Sequence, residues 1–215
     1  MKLRCTNSPW FKHIIWTLLL LPALAVAKDY KAGTHYTELS KPIPTQSGDK
    51  IEVLEFFWYG CPHCFQFEPV ISKWRKDAPD HVYFSQVPSP LNPKWMVHTK
   101  TYYALDLMGK VDEYHKLIFD AMHVQRKKLY TLDSIADYLA SKGLDAGAFN
   151  DAYNSFAVEM RARKAMQLGR DYNLSGVPML TVNGKYVISA SEAGSYSEMI
   201  NIVNFLVDKE AKARN

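Results

Sequence analysis

The stretch Ile51-Glu52-Val53-Leu54-Glu55-Phe56-Phe57-Trp58-Tyr59-Gly60-Cys61-Pro62-His63-Cys64-Phe65-Gln66-Phe67-Glu68 decides the reading of this 215-residue chain. Its first seven residues are apolar apart from Glu52 and Glu55 and read as a strand. Trp58-Tyr59-Gly60 turns the chain. Residues 65–76 then read as a helix, with Pro62 suited to its first turn, where a missing N–H costs nothing. Pro69 is expected to bend that helix. Residues 81–87 read as a second strand. The unit is strand, helix, strand, with Cys61 and Cys64 at the helix N-terminus.

Outward on the C-terminal side, Pro88, Pro90 and Pro93 break the pattern. Helical spacing then dominates residues 94–168. Its first apolar anchors are Trp95, Met96, Tyr102, Tyr103, Leu105 and Leu107. Further helices are expected over 111–122, 131–142 and 146–168, punctuated by Gly109, Lys127-Lys128 and Gly143. This block is long enough to be a subdomain inserted between the halves of an α/β domain. The α/β pattern resumes with strand Met179-Leu180-Thr181-Val182. Asn183-Gly184 is a tight-hairpin signal, and residues 185–189 form the return strand. A closing helix is expected over 192–209, with Met199, Ile200, Val203, Leu206 and Val207 facing inward. Residues 210–215 read as a frayed, charged tail.

On the N-terminal side, residues 28–50 read as an extended arm with one short edge strand near residues 36–39. Residues 1–12 carry Lys2, Arg4 and Lys12 and no acid. An apolar run over 14–21 and Ala25-Val26-Ala27 follow. Basic start, apolar centre and small residues at the cut make a secretory signal peptide, with cleavage expected after Ala27. The alternative, a membrane anchor, needs roughly 20 apolar residues, and this run is shorter. The net charge is +4. Residues 1–27 hold three of the basic side chains, so the remaining chain carries +1. That near-neutral balance gives no reason to expect nucleic acid, and the patch Arg126-Lys127-Lys128 reads as a solvated helix face.

Cys5 lies in the leader, away from the cut, so Cys61 and Cys64 are the cysteines of the remaining chain. Bridging two such close residues restrains the unfolded chain little, so their purpose reads as chemical. Cys61, at the helix start, is the candidate nucleophile, because unsatisfied N–H groups and the helix dipole stabilise a thiolate. Cys64, one turn deeper, is placed to resolve a mixed disulfide. His63 adds a donor and partial positive charge and should favour the reduced pair. Cys-x-His-Cys offers three metal ligands, but a structural zinc site takes four, so no metal is expected. Glu55 has two readings: an edge-strand surface residue, or a buried acid beneath the redox helix. The apolar face it shares with Val53 and Phe57 favours burial.

Leu54-Glu55-Phe56-Phe57, Cys61-Pro62-His63-Cys64, Phe65-Gln66-Phe67-Glu68, Gly176-Val177-Pro178 and Val182-Asn183-Gly184-Lys185-Tyr186 together resemble the DsbA-type thiol oxidases of the bacterial periplasm. The resemblance covers the whole chain beyond the leader. It implies a thioredoxin-like fold made of residues 28–91 and 171–215, with a helical insertion over 92–170. It implies a cis bond before Pro178 that bares the Val177 backbone for an extended substrate segment. Glu55 would assist proton transfer at Cys64. Relatives often carry a lysine near that acid; this chain has Gln86 near the expected place, which alters the local charge balance. The implied activity is donation of the Cys61–Cys64 disulfide to folding secreted proteins with free thiols, by a monomer without a cofactor. A DsbB-type, quinone-linked membrane protein would reoxidise it. Pro62 and the aromatics Trp58, Tyr59 and Phe65 could contact substrate. The rivals are an isomerase or reductase on the same scaffold, and a chaperone-like binding protein.

Overall fold

The computed structural model describes Lys2 and residues 29–214; the expected signal peptide and its cut lie outside them. The elements are β1 (Thr37–Glu38), β2 (Ile51–Phe57), α1 (Pro62–Asp77), β3 (Val82–Pro88), a 3-10 turn (Pro93–Trp95), α2 (Met96–Leu107), α3 (Val111–His123), α4 (Leu132–Ala140), α5 (Ala146–Asn154), α6 (Phe156–Asp171), β4 (Met179–Val182), β5 (Tyr186–Ser189), α7 (Ala190–Ala193) and α8 (Tyr196–Arg214).

The five strands form one sheet in the order β1-β5-β4-β2-β3. β2 is an interior strand, buried along its whole length. It pairs parallel with β3 and antiparallel with β4. Asn183 and Gly184 both take positive φ (51° and 68°), the geometry that closes the β4–β5 hairpin. Pleating sends alternate residues to opposite faces. Ile51, Val53, Leu180, Val182 and Ile188 pack with Phe67 and Ile71 of α1 and with Met199, Ile202, Val203 and Leu206 of α8. Leu54, Phe56, Met179 and Val187 join a second core that runs into helices α2–α6 through Tyr102, Leu105, Ile118, Phe119 and Val158. Burial on this scale is the main term holding the fold, and truncating a core aromatic such as Phe56 to Ala should cost about 3–5 kcal/mol.

Several expectations change. The helix expected over 146–168 is two, because Ser155 adopts an extended conformation and its hydroxyl caps α6 by accepting from the Val158 N–H. Leu107 is half exposed rather than an anchor, and Ile202 is buried where Ile200 is only partly so. The tail is not frayed through residue 214: Glu210 is buried and bonded to Asn183, Lys185 and Tyr186, so it anchors α8 to the hairpin. Arg126, Lys127 and Lys128 lie in the loop between α3 and α4, not on a helix.

Candidate active site

Cys61 is the N-cap of α1. It has an extended backbone (φ −89°, ψ 116°), and its sulfur accepts from the Cys64 N–H at 3.4 Å, the place a Ser or Asp oxygen usually takes. Pro62 follows at the first helical position. Both cysteines are free thiols in this structure. The Cys61 pKa falls to about 6. The Cys64 thiol, which donates to the Cys61 sulfur, is the largest cause. Burial opposes it, while the backbone N–H groups of Cys64 and His63 and the His63 charge assist. Cys64 is pushed the other way, well above the ordinary thiol value, first by burial and then by Cys61. One thiol is thus ionised near neutral pH while the other keeps its proton.

The Val177–Pro178 bond is cis, and the Cys61 thiol donates to the Val177 carbonyl at 3.4 Å. The structure therefore brings together Cys61, Cys64, Val177 and Pro178 from two segments far apart in the chain. His63 is exposed beside them. With Gly176, Val177, Pro178, Ser189 and Tyr196 it lines an open cavity of about 220 Å³. Tyr196, which sequence reasoning missed, places its hydroxyl 3.3 Å from His63 Nδ1.

Glu55 is buried, at 1 % exposure. Burial raises its carboxyl pKa to about 8, assisted by the Glu68 charge and opposed by a hydrogen bond from Gln86. Gln86 Nε2 donates to Glu55 Oε2 at 2.8 Å and lies 3.4 Å from His115 Nε2. His115 in turn lies 3.3 Å from Glu68 Oε2 and 2.8 Å from the Tyr59 hydroxyl. Burial alone would raise Glu68, but the His115 bond and charge, the Ser72 hydroxyl and Arg75 outweigh it and hold its pKa low. The partner of Glu55 is thus an amide, with a histidine behind it.

The aromatics divide. Tyr59 is fully buried and belongs to the core, so it is withdrawn from the expected substrate contacts. Trp58 is half-buried and stacks on Trp95 at 4.1 Å. Its indole N–H donates to His98 Nδ1 at 2.7 Å, and burial holds the His98 pKa near 4. The same indole lies over Gly60, where a Cβ would meet it at 2.3 Å, so only glycine fits before Cys61. Phe65 is half-buried and stacks on His123. Sequence reasoning missed His98 and His115. Their positions on apolar helix stripes, His98 with Tyr102 and Leu105, and His115 with Ile118 and Phe119, are the signal that marks them as buried.

Residues 96–197 match the family model described as a DSBA-like thioredoxin domain. The Thiol:disulfide interchange protein DsbA of Pseudomonas aeruginosa is 41% identical over 207 residues, spanning 94% of this chain and 98% of that protein. The protein of the same name from Azotobacter vinelandii is 41% identical over 186 residues, 86% of this chain and 87% of its own length. Among solved structures, the crystal structure of Pseudomonas aeruginosa DsbA superposes with a TM-score of 0.83 at 42% identity, covering 86% of this chain and 96% of that one. The oxidoreductase DsbA from Xylella fastidiosa superposes at 0.79 with 27% identity, covering 85% and 98%. With the cysteine-bearing helix α1, the cis Val177–Pro178 loop and helices α2–α6 placed on that shared fold, the chain belongs to the DsbA family of thiol:disulfide interchange proteins.

Proposed function

We propose that this protein is a thiol:disulfide oxidase that donates the Cys61–Cys64 disulfide to secreted proteins during oxidative folding. The observation that carries this reading is the placement of the pair: the Cys61 sulfur caps α1, 3.4 Å from the Cys64 N–H and 3.4 Å from the Val177 carbonyl before the cis Pro178, an environment that holds the Cys61 pKa low while burial holds Cys64 high. A substrate thiolate attacks the Cys61 sulfur of the oxidised pair, and the S–S bond to Cys64 breaks. Cys64 leaves and takes up a proton, for which Glu55, with its raised pKa, is the nearby acid. A second substrate thiolate attacks the substrate sulfur of the mixed disulfide, and Cys61 leaves as a stabilised thiolate. The substrate loses two electrons and the pair gains them. A well-stabilised leaving thiolate makes the oxidised form a strong donor.

Around that step, Val177 offers its carbonyl to an extended substrate segment beside Pro178, and Pro62 and Trp58 border the approach. His63 supports the Cys61 thiolate. Residues 1–27 serve as a signal peptide cut after Ala27, and the protein acts in the periplasm as a monomer. Among the described residues, no helix is long and apolar enough to cross a membrane. Residues 28–91 and 171–215 form the thioredoxin-like domain, and 92–170 the inserted subdomain. A DsbB-type membrane partner restores the disulfide. The test mixes the oxidised protein with a reduced, unfolded thiol protein. The wild type should oxidise it stoichiometrically, and Cys61→Ser should not. Equal effects of both would favour the chaperone-like rival.

A further inference from the structure

The loop between α3 and α4 carries Arg126, Lys127 and Lys128 in succession, all exposed. It is an ordered loop. The N–H groups of Val124 and Gln125 both bond the Asp120 carbonyl, and the Lys127 N–H bonds the Ala121 carbonyl at 2.8 Å. Arg126 takes a left-handed conformation (φ 57°), uncommon for a residue with a side chain, which turns the chain out of α3.

Both ends of this loop are tied to the residues that bracket Cys61. At one end, His123 Nε2 bonds the Tyr59 carbonyl at 2.7 Å, and its ring stacks on Phe65 with centroids 5.0 Å apart. At the other, the Leu129 carbonyl is bonded by His98 Nε2, and the Tyr130 ring lies 5.8 Å from His98. His98 is the residue that holds the Trp58 indole. Trp58 and Tyr59 precede Cys61 by three and two positions, and Phe65 follows it by one helical turn. The loop that carries the three cations is therefore anchored at both ends to residues that flank Cys61 in the chain.

They also keep their charge free. Of the neighbouring acids, Asp120 is occupied by Lys116; Asp133 and Asp137 sit on α4. Among the described residues none of the three cations forms an ion pair, and only Lys127 is engaged otherwise, 5.8 Å over the Tyr138 ring. The chain beyond residue 27 carries a net charge of only +1, so this concentration of charge is local. Apolar surface flanks it: Val124 is 65% exposed and Tyr130 54%.

Resting on the oxidase reading above, we infer that residues 124–130 form a docking rim for extended, thiol-bearing polypeptide segments that carry acidic side chains beside apolar ones. Val124 and Tyr130 take the apolar groups, and Arg126, Lys127 and Lys128 take the carboxylates. A cationic rim at a reactive site raises the local concentration of anionic partners and speeds encounter, in a salt-dependent way.

The test uses the oxidised protein, the variant Arg126→Ser/Lys127→Ser/Lys128→Ser, and three single-cysteine peptides that differ only in acidic, neutral or basic flanks. Mixed-disulfide formation is followed by stopped flow at low and high salt. Flanking charge alters each peptide's own thiol, so the quantity read is the acidic-to-basic rate ratio of the wild type divided by that of the variant. The inference expects about tenfold at low salt, shrinking as salt screens the loop. A ratio near one, with the neutral peptide reacting normally, overturns the docking rim and leaves the oxidase reading intact. Failure of the wild type with all three peptides overturns the oxidase reading and this inference with it. A ratio near one, together with binding to equal-part phosphatidylglycerol–phosphatidylcholine vesicles that the variant loses, overturns the peptide surface and reassigns the loop to a membrane.

Discussion

Gln86 donates its amide N–H to the Glu55 carboxylate at 2.8 Å, while its own Oε1 is buried without a hydrogen-bond partner. An amide can stabilise a carboxylate but cannot neutralise it, so Glu55 keeps a pKa of about 8. Gln86→Lys should place a cation against Glu55 and bring that value down toward the ordinary carboxylate range. Carbon-13 NMR titration of the Glu55 side chain would show it. An unmoved titration would mean that burial, not the missing charge, fixes the acid.

Glu55 also gives the fold a pH dependence of definite sign. Its native pKa lies above the 4.5 of an ordinary Glu. Between that value and about 8 the native state holds a proton that the unfolded chain has released, so stability falls as pH rises through this window. Glu55→Gln should remove this slope and gain on the order of a few kcal/mol over the wild type at the upper end. Urea unfolding of both proteins at the two ends of the window checks this; parallel stability curves would contradict it.

Cys61 acts in the opposite direction, and only in the dithiol form. The Cys61 pKa is depressed to about 6 from 9.0. The stability it contributes is complete above the unfolded value and is lost as pH falls through about 6. The reduced protein should therefore gain on the oxidised one as pH rises across that interval. Paired denaturation of the two redox forms measures the difference; a flat difference would remove the depressed thiolate from the account.

How much of this was legible in the sequence differs residue by residue. Cys61, Cys64 and Pro62 declare themselves by local spacing, because a helix N-terminus is a local event. The strands over residues 51–57 and 179–182 also stand where they were expected, since short apolar runs bounded by turn residues are local signals too. Glu55 was readable as two alternatives, with burial favoured by the face it shares with Val53 and Phe57, but its partner Gln86 lies on another strand and was not. Tyr59 looked like a surface contact because nothing near it in sequence announces His115 and Phe119 as its neighbours. Ser155 was overlooked because the apolar spacing runs on across it, although Ser at that position is a capping signal.

His98 holds the Trp58 indole, and its two ring nitrogens are both engaged. His98→Leu should leave the Trp58 indole N–H and the Leu129 carbonyl without partners and lower stability by about 1–3 kcal/mol. Trp58 fluorescence should change with it, and unchanged stability and emission would show that the bonds carry little.

His63 contributes its charge last among the causes that lower Cys61. His63→Ala should therefore raise the Cys61 pKa yet leave it below the ordinary thiol value, because the Cys64 thiol and the backbone N–H donors remain. The pH dependence of thiolate absorbance reads this directly; a return to the unperturbed value would make His63 the dominant donor instead.

The central claim is that this pair is built to give its disulfide away, and its reduction potential tests that most directly. The measurement equilibrates the chain over residues 28–215 in glutathione buffers. A potential well above the roughly −270 mV of thioredoxin is expected, as the stabilised Cys61 thiolate requires. A value at or below that of thioredoxin would contradict it and give the scaffold to a reductase or isomerase.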